Sequence, residues 1–198
     1  MRHLSNTFLT GHSHMIRSAV TRKEPATKLE KGAMSAPTRK QYCAVVIVVS
    51  DRVLSKERPN DSGTLARELL TKAGYLCPAP LIVAERANDF RTVLSAQLAS
   101  KPDFIMSIGG TGVTAGACVP EVTKEFLAAD FPGLATQIIM QGAKSTPLAG
   151  LSRGLVGVTT IGKPGTVVAN SPSSKGGVKD TLEVVLKVLP SILKQLAE

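Results

Sequence analysis

From residue 42 onward the hydrophobic positions alternate between two rhythms, short continuous apolar runs and longer stretches with helical spacing. Tyr42 to Val49 is a β-branched run with no polar face, the pattern of a strand buried on both sides of a parallel sheet. Leu81-Ile82-Val83 and Phe104–Ile108 read as further strands. Between them, Leu65, Leu69, Leu70 and Ala73 recur at helical spacing, with Asp61 or Ser62 as the expected cap and Gly74 as the stop. The segment Leu54 to Asn60 ahead of that cap reads as a polar loop. Phe90, Val93, Leu94 and Leu98 mark a second helix that begins at Asn88 or Asp89 and ends before Pro102.

Residues 120–130 are expected to form the next helix, with Val122, Phe126 and Leu127 on its apolar side. Leu134 to Met140 is a further helical stretch. Leu155–Thr159 and Thr166–Val168, separated by Gly162, Pro164 and Gly165, suggest a hairpin. A long last helix over residues 178–197 carries Val178, Leu182, Val185, Leu189 and Leu193 at helical spacing, with Pro190 as a potential kink. Strand–helix alternation of this kind predicts an α/β fold: an open, mostly parallel sheet with helices on both faces, hence three layers. Three polar loops then fall at the carboxyl edge of the sheet: Ser50-Asp51-Arg52, Gly109–Gly112 and the small-residue loop from Asn170. In open sheets that edge is where ligands bind.

Composition agrees with a single domain. The chain has 198 residues, 43% hydrophobic and 20% charged, with 4% aromatic and no Trp, which suits a large aliphatic core. The net charge of +9 is unevenly placed: residues 1–40 hold eight Lys/Arg against two Glu. The expected division is therefore a basic leader, 1–40, and one domain, 41–198. The leader shows no hydrophobic periodicity. It reads as a disordered extension, as sequence upstream of an initiating Met34, as an acid-free transit peptide over residues 1–23, or as a basic arm. Nucleic-acid binding through it is disfavoured, because the aromatic residues that stack on bases are scarce. No run approaches the roughly 20 apolar residues of a membrane span.

All three histidines, His3, His12 and His14, lie in the leader without metal-ligand spacing, so no metal site is expected. Cys43, Cys77 and Cys118 are few, odd in number and dispersed, which argues against a disulfide framework. A domain without histidine cannot assemble a Cys–His or Ser-His-Asp nucleophile. Phosphate chemistry fits the inventory better. The run Phe104–Ile108 breaks into Gly109-Gly110-Thr111-Gly112, where the backbone is free to turn its N–H groups toward an anion.

Five motifs in order carry a resemblance. Val49-Ser50-Asp51-Arg52, Asp61-Ser62-Gly63, Gly109–Gly112 with Pro120-Glu121, Leu151-Ser152-Arg153 and the Asn170-Ser171-Pro172 loop are similar to the MoaB/Mog family, which includes the G domain of gephyrin. The resemblance covers nearly all of residues 42–197. It implies the molybdopterin-binding fold, a trimer, a cytoplasmic place in molybdenum cofactor synthesis, and adenylylation of molybdopterin with Mg-ATP and release of pyrophosphate. Carried over, Gly109, Gly110, Thr111 and Gly112 hold the phosphate or dithiolene end of molybdopterin. Ser62 and Gly63 line the cleft, Ser50 lies at its base, and Asn170, Pro172 and Ser173 form the far wall.

The departures concern charge. After the glycine loop the family reads Pro-Arg-Asp, and the Asp is taken to be catalytic; here Gly116 and Ala117 stand at the Arg and Asp positions. A second family carboxylate falls on Ala84, with Glu85 one residue on. Two accounts stay open. Either the chain is an adenylyltransferase in which Asp51, Asp61, Glu121 or Glu85 carries the charge, or it binds molybdopterin as a non-catalytic scaffold. Each acid also has an ordinary reading: Glu121 as a first-turn helix charge, Asp61 as a cap, Asp51 as a solvated strand end. Arg153 reads equally as a phosphate ligand and as a surface ion pair.

Overall fold

A computed structural model describes residues 41–198, so the leader and its histidines lie outside the described residues. Six strands make one mixed sheet: β1 (Ala44–Val49), β2 (Leu81–Val83), β3 (Phe104–Ile108), β4 (Ala129–Asp130), β5 (Val156–Val158) and β6 (Val167–Ser171). Their order is β2-β1-β3-β6-β5-β4. The first four in that order run parallel, β5 pairs antiparallel with β6 in the expected hairpin, and β4 pairs antiparallel with β5.

Period-two alternation splits the strand residues between two cores. Ala44, Val46 and Val48 of β1, with Phe104, Met106 and Ile108 of β3, face helices α2 (Asp61–Lys72) and α6 (Lys175–Ala197). Ile47, Val49 and Ile105 face the opposite way, onto Phe90 and Leu94 of α3 (Ala87–Ala99) and Val119 and Val122 of α4 (Val119–Lys124). A strand buried on both sides needs no polar face, which is why β1 and β3 read as unbroken apolar runs. The three-layer α/β architecture is as the pattern predicts.

Three local expectations change. The stretch after β1 is not all loop: Asp51–Leu54 forms a single helical turn, α1, with Ser50 as its cap. Helix α2 is capped by Asn60 rather than by Asp61 or Ser62, its side chain accepting the Gly63 N–H at 3.1 Å. The helix expected over 120–130 ends at Lys124, and Ala129–Asp130 adds β4 to the sheet edge instead. Helix α5 (Pro132–Ala143) follows, then a short 3-10 helix, Pro147–Leu151. Helix α6 is assigned without a break through Pro190, whose ring is exposed.

Candidate functional site

Because β1, β3 and β6 are neighbours and parallel, the loops that leave them emerge side by side. Contacts tie them together. The Gly109 N–H donates to the Ser171 carbonyl at the end of β6 (2.9 Å). The Ser62 hydroxyl donates to the Ser173 carbonyl (2.7 Å), drawing the first turn of α2 to the loop before α6. Gly109 and Gly110 both have positive φ, 103° and 60°. A side chain at Gly109 would collide with the Val49 carbonyl, and one at Gly110 would come within 2.7 Å of Val119. Glycine is required at both by backbone conformation and by space.

Three of the loop's carbonyls accept hydrogen bonds from the protein. Gly110 O accepts the Val119 N–H (3.2 Å), Thr111 O accepts the Arg153 N–H (2.9 Å), and Gly112 O accepts Arg153 Nε (2.8 Å). The N–H groups of Gly110, Thr111 and Gly112 donate to no partner among the described residues. Successive N–H groups without a protein partner are the feature by which backbone nests hold anions.

The three candidate acids each sit in the first turn of a helix, where the macrodipole favours them, and each has a partner. Asp61 pairs with Lys175 Nζ at 2.8 Å, Asp51 Oδ1 accepts the Glu85 N–H at 3.2 Å, and Glu121 pairs with Arg153. Among the described residues, no three His, Cys, Asp or Glu gather as ligands for a metal ion. Ser50 caps α1, its hydroxyl accepting the Val53 N–H at 3.4 Å. Gly63 lies under the Asn60 cap, and Pro172 packs close to Gly177.

Asn170 is placed differently from the far-wall expectation. It belongs to β6, is 2% exposed, and its amide is fully engaged. Nδ2 donates to the hydroxyls of Ser107 (2.8 Å) and Thr123 (3.0 Å), while Oδ1 accepts the Leu155 N–H (3.3 Å). Ser173, by contrast, is exposed beside Gly109. The sequence reading missed Lys175, which ends up paired with Asp61; only its place just ahead of a Gly-Gly helix start hinted at it. At the rim of the loop, burial pushes the Cys118 thiol pKa up, and the nearby Glu121 and Glu85 carboxylates raise it further. That is the reverse of an activated nucleophile.

The family described as "Probable molybdopterin binding domain" matches residues 45–192. The chain belongs to this family. Molybdenum cofactor synthesis protein cinnamon of Drosophila melanogaster is 27% identical over 150 residues, 73% of this chain and 24% of the relative. A molybdopterin adenylyltransferase of Helicobacter pylori is 26% identical over 73% of this chain and 82% of its own length. The solved structure of the molybdopterin biosynthesis enzyme MoaB from Thermus thermophilus superposes with a TM-score of 0.70 at 32% identity, covering 79% of this chain and 96% of that one. The molybdopterin-binding fold expected from the motifs is therefore the fold observed. The chain spans only 24% to 49% of the length of four longer relatives. Among the described residues no helix is long and apolar enough to cross a membrane.

Proposed function

We propose that this chain binds molybdopterin across the carboxyl edge of β1, β3 and β6 and adenylylates it, as a step of molybdenum cofactor biosynthesis. The observation that carries the reading is the glycine loop at the centre of that edge. Its Gly110, Thr111 and Gly112 carbonyls are bonded to the protein, while the N–H groups of the same residues have no partner among the described residues and are free for a phosphoryl group. Gly109 serves as the turn that makes this possible. In this reading Ser50, Ser62, Gly63, Pro172 and Ser173 surround it, and Asn170 ties β6 to Ser107 of β3 and Thr123 of α4.

In the reaction, an oxygen of the molybdopterin phosphate attacks the α-phosphorus of ATP. The bond between that phosphorus and the bridging oxygen breaks, and pyrophosphate leaves as Mg-pyrophosphate. A phosphate monoester is already largely ionised near neutral pH, so no histidine base is needed. Positioning and charge neutralisation are what the protein supplies. Asp51, Asp61 and Glu121 are the carboxylates available to orient Mg-ATP, which arrives as a substrate. Lys175 can pass from Asp61 to a phosphate. Association into a trimer is part of the proposal, supported by exposed apolar side chains at Met140, Leu148, Leu151 and Ile161.

One observation favours a second reading, binding without turnover. Gly116, Ala117 and Ala84 present no charge, and Asp61 and Glu121 are held in ion pairs. Calorimetric titration with molybdopterin, followed by Mg-ATP and a pyrophosphate assay, separates the two. The account expects binding and pyrophosphate release. Binding with no pyrophosphate selects the scaffold, and no heat of binding rejects both.

A further inference from the structure

We infer that Arg153 is a positioning residue, acting on the anion through the backbone of the glycine loop rather than by touching it. This rests on the proposed anion site but concerns a residue to which that reading gives no task. Four donors of Arg153 hold the segment from Thr111 to Glu121. Its own N–H takes the Thr111 carbonyl (2.9 Å), Nε takes the Gly112 carbonyl (2.8 Å), Nη2 takes the Ala117 carbonyl (3.0 Å), and Nη1 pairs with Glu121. The Ser152 hydroxyl adds a contact to Thr111 Oγ1 at 3.4 Å.

The consequence is directional. A peptide unit whose carbonyl is held on one side presents the N–H of the next residue on the other. The main-chain N–H of Arg153 on the Thr111 carbonyl aims the Gly112 N–H, and the Val119 N–H on the Gly110 carbonyl aims that of Thr111. The guanidinium on the Gly112 and Ala117 carbonyls keeps the following turn, and with it position 153, in place against the loop. Glycine gives the loop no conformational preference of its own, so an external tie must supply it. The planar guanidinium suits this role, because its fixed donors reach two carbonyls and a carboxylate at once. Glu121 then acts as the counter-ion that sets the guanidinium plane. Nε, Nη1 and Nη2 each bond to the protein, which commits the guanidinium to the loop.

A lysine at 153 separates positioning from direct contact. It keeps the charge and can meet a phosphate as a point charge, but it cannot span three acceptors. The full chain, Arg153→Lys, Arg153→Ala and the control Arg91→Lys are titrated with molybdopterin. Arg91 holds a comparable exposed pair with Glu125, both contacts at 2.7 Å, and hydrogen-bonds to none of residues 109–121. Loss of two side-chain bonds in Arg153→Lys and of all three in Arg153→Ala predicts that both variants bind at least about tenfold more weakly, while Arg91→Lys stays within about twofold. Amide hydrogen exchange is measured on the unliganded proteins in parallel. The Arg153 variants are expected to exchange the amides of Val119 and of position 153 about tenfold faster, the control to leave them unchanged.

Wild-type affinity in Arg153→Lys overturns the inference, as does unchanged exchange at those two amides. Should Arg153→Ala fail to fold, Arg153→Lys carries both readouts alone. If the wild-type chain does not bind molybdopterin, the proposed function fails, and exchange by itself decides whether Arg153 orders the loop.

Discussion

At Gly109 the chain turns with φ of 103° directly against the Val49 carbonyl, so an added methyl meets both backbone strain and a clash. Gly109→Ala is expected to lower unfolding stability by about 2–4 kcal/mol, read from denaturant midpoints, because the neighbouring strand cannot move aside. A loss below about 0.5 kcal/mol would mean the loop is freer than described. The thiol of Cys118 gives a second residue-level test. Its raised pKa leaves less thiolate near pH 8 than an ordinary cysteine has, so iodoacetamide should modify it more slowly than a free thiol. Faster modification would contradict the electrostatic picture. The glycines were readable as a loop from sequence alone, since three interrupt an apolar run. The Arg153 network was not: its side-chain partners lie 32 to 41 residues away, and no local pattern encodes such a contact. Asn170, expected in a loop, lies in β6, and the reason is related. An Asn near Pro and Ser resembles a loop, and only pairing with β3 shows that its amide is a buried junction.

Among the elements, length decided what could be seen. β3 spans Phe104–Ile108 as expected because five buried residues make a clear run, whereas α1 has four residues and β4 two, too few for any period to register. The expected helix over 120–130 failed in its second half, where Phe126 and Leu127 pack beneath the sheet after the helix has ended. Helix α6 carries a testable strain. Asp180 lies close to Gly142 of α5, and burial, then the Glu183 charge, pushes its carboxyl pKa above the ordinary value, with Lys144 opposing. The sign follows: the folded state holds the proton more tightly than the unfolded one, so stability is lost as pH rises through the carboxylate range. Asp180→Asn should therefore gain stability over the wild type between about pH 4 and 7, measured as unfolding midpoints at each pH. An advantage that shrinks with rising pH would contradict the assignment.

For the whole molecule, the sheet does two jobs with one set of strands. The centres of β1, β3 and β6 fill both cores, while their carboxyl ends bring three sequence-distant loops side by side. Parallel direction, which strand–helix alternation predicts, made that convergence legible, whereas the neighbour order that sets β6 beside β3 is visible only in the structure. The acids were harder to read. Each sits in a first turn for reasons of helix electrostatics, so position alone does not mark a catalytic role.

The most direct test of the account is to follow the backbone amide signals of the full chain while molybdopterin is added. Shifts concentrated at Gly110, Thr111 and Gly112, with smaller ones at Ser50, Ser62, Gly63 and Ser173, are the predicted result. Shifts centred instead on the cavity of about 400 Å³ beside Val53, Arg58 and Ile82, or no shifts at all, would contradict it.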